Sequence, residues 1–299
     1  VLDCPGGICK TSYGNEHFCH AMTEAARPDL IPAQRRALVL HHVRESGAAS
    51  IHDLARAIGA STSTIRRDLE HLQEAGFLQR SHGGALLPRP PQATFEPAAS
   101  FAAGLARAQK RAIGQVAAAA LVAGEAVIFD SSSTVREAAR AAVERGIALT
   151  AVTNDLGTAQ VLAASRAIRV VVPGGTLRPD SLTLLGEPGL GFLAGVHADV
   201  ALLGVHAIAG RLLTETSLEA AAMKRAMISA ARRAVVLADA TKFQPAAFCT
   251  ICDVTSVQQV VTDSGADPVA LAALRELGVA ASAVASSQHA AGTPADEIF

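Results

Sequence analysis

Tryptophan is absent from the 299 residues and tyrosine occurs once. Long apolar runs are missing as well. No segment reaches the ~18 apolar residues of a membrane span. The stretch 112–128 comes nearest, and Gly114, Gln115, Gly124 and Glu125 interrupt it. The basic, apolar and cleavage regions of a secretory signal are not seen at the start. These absences lead us to expect a cytoplasmic protein with no membrane partner. Net charge is lacking too: 26 basic residues against 27 acidic ones leave −1, which alone argues neither for nor against nucleic acid.

Cysteines are few. Cys249 and Cys252 have CxxC spacing, but no second pair accompanies them, and Ala246, Ala247, Phe248 and Ile251 around them read as a strand. Cys4, Cys9, His17, Cys19 and His20 are ligand types for zinc, at a spacing that matches no common finger. Composition changes at Met22. We therefore expect 1–31 to be a disordered extension, or 1–21 to be sequence upstream of a misassigned start, and expect neither a metal site nor a cofactor. A zinc-dependent sensor is the alternative for this cluster.

What is present is a chain that is 50% apolar, long enough for one large or two smaller domains. Its charge is unevenly spread. Residues 32–90 hold eight arginines against five acidic residues, with five of the ten histidines; 91–299 hold sixteen basic and eighteen acidic residues. A basic surplus in one short segment is the footprint of nucleic-acid binding.

That segment reads as a compact unit, 32–87. Pro32 suits a first helical turn, and Leu38, Val39, Leu40 and Val43 supply an apolar face before Gly47. A second helix over 50–58 has Ser50 as cap and Asp53 three residues on, close to a capping box. After a Gly59-Ala60 turn, a third helix over 61–75 has Ile65, Leu69 and Leu72 on its inner face. "FLQRSHGGALL" then predicts two short strands around a Gly-Gly turn. Two helices, a tight turn and a helix opening on hydroxyls form a helix-turn-helix pattern. Ser61, Thr62, Ser63 and Thr64 sit where a helix start favours phosphate. Arg66 and Arg67 suit base edges or the backbone. Arg80 and His82 would make the hairpin a wing. The alternative is a small three-helix bundle with solvated arginines.

"ASIHDLARAIGASTSTIRRDLEHLQEAGFLQRSHGGA" resembles the winged helix-turn-helix of the DeoR family of bacterial transcriptional regulators, through Thr64–Leu69 (T-I-R-R-D-L) and Arg80–Ala85 (R-x-H-G-G-A). The resemblance implies a DNA operator as partner and a second domain that senses a phosphorylated sugar or related metabolite. It also implies a repressor in most cases.

Four prolines in 88–100 predict an extended linker. Beyond it, helical and strand-like runs alternate. Helices are expected over 104–122, 134–145, 155–165, 187–195, 216–232 and 268–277. Strands are expected over 126–130, 147–153, 168–172, 199–205, 234–239, 256–261 and 278–283, with short ones near 176–185. Strands such as "VALLGV" and "AVVLAD" lack strict alternation, as strands buried on both faces do. This predicts an α/β effector domain over 101–283 with a mainly parallel sheet, and a flexible tail over 284–299.

The family resemblance extends over 95–283 and implies a fold similar to ribose-5-phosphate isomerase. Its motifs fall on Asp130, Ser131, Ser132, Ser133 and Thr134; on Thr153 and Asn154; on Gly174 and Gly175; on Asp199 to Gly204; on Glu219 to Lys224; and on Asp239 to Lys242. Most follow predicted strands, where open α/β sheets bind ligands. Hydroxyls and amides at 130–134 suit a phosphate. Lys224 or Lys242 would neutralise it, and Asp130, Asn154 and Asp239 would bond sugar hydroxyls. Each feature also has a local reading, as helix cap, turn or solvated face. Ser132 stands where the family usually has glycine, and Ala207, beside His206, is likewise often glycine. An anion would then be held by side-chain hydroxyls more than by backbone amides.

The function expected is repression of a sugar-metabolism operon, relieved by a phosphorylated sugar, in a homodimer or larger oligomer. The alternative is a sugar-phosphate isomerase with an attached DNA module, for which Asp199, Glu219 and Lys224 are acid–base types. The segment after Asp199, "VALLGV", holds no second carboxylate to serve as a base, so a non-enzymatic protein is expected.

Overall fold

Pro32 opens α1 (Pro32–Ser46), which buries Val39, Leu40 and Val43. Leu38, expected on that face, is 38% exposed because it lies a third of a turn away. Two further helices follow, α2 (Ile51–Ile58) and α3 (Thr62–Glu74). Ser50 caps α2 by accepting from the Asp53 amide at 3.1 Å, and its hydroxyl donates to the Asp53 carboxylate at 2.6 Å. Ile65, Leu69 and Leu72 of α3 are fully buried against α1 and α2. The expected hairpin is β2 (Gln79–Ser81) and β3 (Gly84–Leu86). A third strand that the sequence did not suggest, β1 (Ala48–Ser50), pairs antiparallel with β3 and completes the wing.

The computed structural model describes residues 31–46, 48–81, 83–86, 106–179 and 181–285. The N-terminal extension with its Cys/His cluster, the proline-rich stretch, the C-terminal tail and His82 lie outside the described residues.

From residue 106 the chain builds a seven-stranded sheet in the order β15-β14-β12-β9-β4-β5-β6, with every pairing parallel. Its strands are β4 (Ala126–Phe129), β5 (Leu149–Thr153), β6 (Ile168–Val171), β9 (Ala198–Leu203), β12 (Ala231–Leu237), β14 (Gln259–Asp263) and β15 (Ala280–Val284). The predicted strand over 256–261 begins later than expected, because a 3₁₀ turn takes Val254–Ser256. Side chains alternate between two cores. Val127, Phe129, Val200, Leu202, Val235 and Leu237 face one side, with α4 (Arg107–Ala119), α5 (Ser133–Glu144) and Leu162 of α6 (Leu156–Leu162). Ile128, Ala201, Leu203, Ala234 and Val236 face the other, with α7 (Gly189–Ala194), α8 (Leu218–Ser229) and α9 (Pro268–Glu276). Burial of both faces accounts for the unbroken apolar runs.

Two small antiparallel pieces are added. One is β7 (Thr176–Leu177) with β8 (Leu184–Leu185). The other is a sheet of β10 (Ala207–Ala209), β11 (Leu212–Glu215) and β13 (Cys249–Asp253). Leu213 faces Cys252 and Thr214 faces Thr250, so Ile251 is an extra, bulged residue. It is buried in the second core. The sequence predicts no helix or strand over 206–215, where these short strands β10 and β11 lie.

Candidate functional site

The polar strand ends gather along one edge of the sheet. Asn154, Asp130, Gly204 and Asp239 follow β5, β4, β9 and β12 directly or within two residues, and Asn154, Asp130 and Asp239 are at most 2% exposed. Asp130 accepts from the Gly204 amide at 2.9 Å and from the Lys224 ammonium of α8. Lys224 also donates to Gly204 O at 2.9 Å and lies 3.5 Å from Glu215. One lysine thus stands between two buried carboxylates.

The hydroxyl run is used locally. Ser132 caps α5, accepting from Thr134 N at 3.2 Å, and Thr134 is buried. Ser131 points to Asp130 at 3.5 Å, and Ser133 begins the helix half-buried. Ser132 also packs on Gly204, where a Cβ would stand 2.3 Å from Ser132 Oγ. In the Thr-Asn pair, Thr153 Oγ1 accepts from Asp155 N at 3.2 Å, while Asn154 donates to Leu184 O at 3.0 Å. Asn154 Oδ1 is buried and accepts nothing from the described residues. Gly174 and Gly175 have φ of 86° and 135°; a Cβ on Gly175 would meet Leu185 O at 2.8 Å, so β8 forces glycine there. Their nearest neighbours are Leu185 and Pro188, not the Asp130–Lys224 pair.

A second group of charges lies at the end of β12. Asp239 caps the 3₁₀ turn Ala240–Lys242 through Thr241 and lies 3.9 Å from Lys110 of α4. Lys110 is 4% exposed, and burial lowers its pKa to about 8, against the opposing pull of Asp239 and with a further push from Lys242. Glu137 also acts on Lys110, and Asp263, 5% exposed, accepts from the Ala240 amide at 2.7 Å, so lysines and carboxylates are mixed here. The sequence reading missed Lys110 and Glu215. Lys110 could have been found, since it precedes buried Ile113, Gly114 and Ala117 on one helix stripe.

The acid–base types of the isomerase alternative are not assembled. Asp199 lies at the opposite end of β9, accepting from Ala126 N at 2.9 Å and 3.6 Å from Arg232. Glu219 is exposed; its own amide and the Ser217 hydroxyl hold its pKa low. The carboxylates that do meet Lys224 are Asp130 and Glu215.

A cavity of about 580 Å³ lies elsewhere, between Ile208–Arg211, Phe243–Pro245 and α9. It is largely apolar, and its Arg211 is paired with Asp253 at 3.1 Å. None of the expected effector residues lines it; the buried charge converges instead at the strand ends. Burial raises the thiol pKa values of both Cys249 and Cys252, and Cys249 donates to Glu215 O at 3.2 Å. Among the described residues no group of three or more His, Cys, Asp or Glu could hold a metal ion, and no helix is long and apolar enough to cross a membrane.

In the N-terminal unit, Ser61 caps α3 by accepting from Thr64 N at 3.1 Å and bonds the hydroxyls of Ser63 and Thr64. Ser63, Arg66 and Arg67 are exposed and Thr62 is half-buried. Arg80 is bound to Glu70 of α3 at 3.0 Å. Asp68 of the T-I-R-R-D-L stretch turns inward, is 5% exposed, and accepts from Arg35 of α1.

A winged helix-turn-helix and an α/β domain with a polar strand-end edge define a two-part, DNA-binding regulator with a sensor. Residues 35–90 match the DeoR-like helix-turn-helix domain and 106–264 the DeoR C terminal sensor domain. The chain is similar to a putative aga operon transcriptional repressor of Escherichia coli O157:H7, 30% identical over 83% of this chain and 92% of that protein. It is also similar to the transcriptional regulator GlpR of Haloferax volcanii (30%; 84% and 97%) and the transcriptional repressor GlcR of Bacillus subtilis (28%; 77% and 88%). Among solved structures, it is similar to ribose 5-phosphate isomerase A of Methanocaldococcus jannaschii, with TM-score 0.34 and 16% identity over 45% of this chain and 53% of that one. The chain belongs to the DeoR family of transcriptional regulators.

Proposed function

We propose that the protein is a repressor of a carbohydrate operon that releases its operator when a phosphorylated sugar occupies the strand-end edge of the sensor domain. The observation that carries this is the convergence of buried lysines, carboxylates and an unpaired amide oxygen along that edge. Around Lys224, two carboxylates and the unpaired Asn154 Oδ1 offer acceptors to hydroxyl groups. Two strands away, Lys110 and Lys242 stand close to Asp239 and offer ammonium groups to an anion. Strands β4 and β12 are separated only by β9, so these ends lie roughly 10 Å apart, within reach of one sugar phosphate. Lys224 orders the Asp130 loop and Lys242 faces the phosphate. Operator binding uses Ser63, Arg66 and Arg67 on the exposed side of α3 with the wing, in a homodimer that presents two such helices.

Calorimetry with ribose 5-phosphate, glucose 6-phosphate, the free sugars and inorganic phosphate tests the sensor. A phosphorylated sugar should bind, and Lys242→Ala should weaken it at least tenfold while leaving DNA binding intact. Equal binding of the free sugar would overturn the phosphate assignment, and turnover of ribose 5-phosphate would overturn the regulator-only reading. Arg66→Ala should abolish operator binding and spare ligand binding.

A further inference from the structure

The outward side of α3 carries Ser63, Arg66, Arg67 and Glu70, spaced i, i+3, i+4 and i+7 and all exposed. One carboxylate therefore sits among the residues turned toward DNA. It is four residues after Arg66 and three after Arg67, spacings that favour a pair within the helix. Instead Glu70 Oε1 accepts from Arg80 Nη1 at 3.0 Å, joining α3 to the wing strand β2. Both partners remain open to solvent, with side-chain exposures of 53% and 34%.

We propose that Glu70 is a specificity-determining positioning residue, acting through Arg80. A guanidinium has five N–H donors in a fixed plane. With Nη1 held by Glu70, the remaining donors point in one direction set by the helix, so Arg80 meets the duplex in a single register with Arg66 and Arg67. Without that bond, Arg80 reaches whichever phosphate is nearest, on any sequence. Holding Arg80 in one register penalises non-cognate DNA more than a site where Arg80 finds its partner. The inference rests on the exposed side of α3 being the DNA face.

The test uses the full-length protein and two duplexes, one selected by it from a randomised pool and one a scrambled version. Anisotropy titrations over a range of KCl give affinity and salt slope. Glu70→Ala should raise affinity for the scrambled duplex about two- to fivefold, the scale of an exposed ion pair. It should steepen the log K against log salt slope by about 0.9, for one additional phosphate contact. Affinity for the selected duplex should not rise, so discrimination falls. In an Arg80→Ala background, Glu70→Ala should change neither ratio nor slope. An unchanged ratio in the single variant, or the same change without Arg80, would overturn the proposal. Arg66→Ala on the selected duplex checks the face separately: wild-type binding there would remove the face assignment, whatever Glu70 does.

Discussion

Ser132 fills the space that the missing side chain of Gly204 leaves open. The two residues come from neighbouring strand ends, β4 and β9, and a Cβ on Gly204 would stand 2.3 Å from both Ser132 Cβ and Oγ. The serine in this position is thus matched by a partner and is not a local replacement for glycine. Gly204→Ala should destabilise the protein by about 1–3 kcal/mol, the usual cost of overpacking. Adding Ser132→Gly should recover part of that loss in urea denaturation, less about 1 kcal/mol for the lost helix cap. Equal losses in both backgrounds would show that the contact does not govern this site.

Lys110 gives opposite signs for stability and for ligand binding. Its folded pKa, about 8, lies below the ~10.4 of an unfolded lysine. Between these values the unfolded chain binds more protons, so this group's contribution to stability rises with pH. Anion affinity should fall over the same interval, since the cation is lost while the phosphate keeps its charge above its second pKa of about 6. Melting temperatures and affinities from pH 7 to pH 10, each as the difference between wild type and Lys110→Met, should show both trends. A pH-independent affinity difference would remove Lys110 from the anion site.

Asp68 separates structure from recognition inside one motif. It lies between Arg66, Arg67 and Glu70 in sequence but turns inward to Arg35. Asp68→Ala should cost about 1.5–3 kcal/mol, as loss of a charged hydrogen bond does. The salt slope of DNA binding should stay the same, because no phosphate contact is lost. A slope lowered by about one unit would place Asp68 in the DNA interface.

The sequence displayed whatever rests on local chemistry. Ser50, Ser61 and Ser217 each cap a helix at or near an expected start, because a capping hydroxyl and its amide lie within three residues. Double-sided burial was visible in unbroken apolar runs. Glu215 was hidden because β11 is held by β13, some 35 residues later, and a short antiparallel strand leaves no periodic trace. Lys110 was hidden by residue type, since a lysine on an alanine-rich helix reads as solvated. The hydroxyl run was recognised as a strand-to-helix loop, but which hydroxyl would serve as cap and which as ligand donor depends on Gly204, a residue 72 positions from Ser132 in sequence.

The bulge at Ile251 acts as a phase mark. Along a strand each residue points opposite to the next, so a slip of one place exchanges the two sides of a ribbon. Because β13 spends one extra residue at that point, Thr214 and Glu215 are offset from the pairing that Leu212 and Leu213 begin. Removing Ile251 would leave the composition of the ribbon almost untouched. The remaining residues would close into a regular ladder with the pairings of Thr214 and Glu215 unchanged, so what the insertion supplies is one more buried side chain for the second core, added without moving the strand's other contacts.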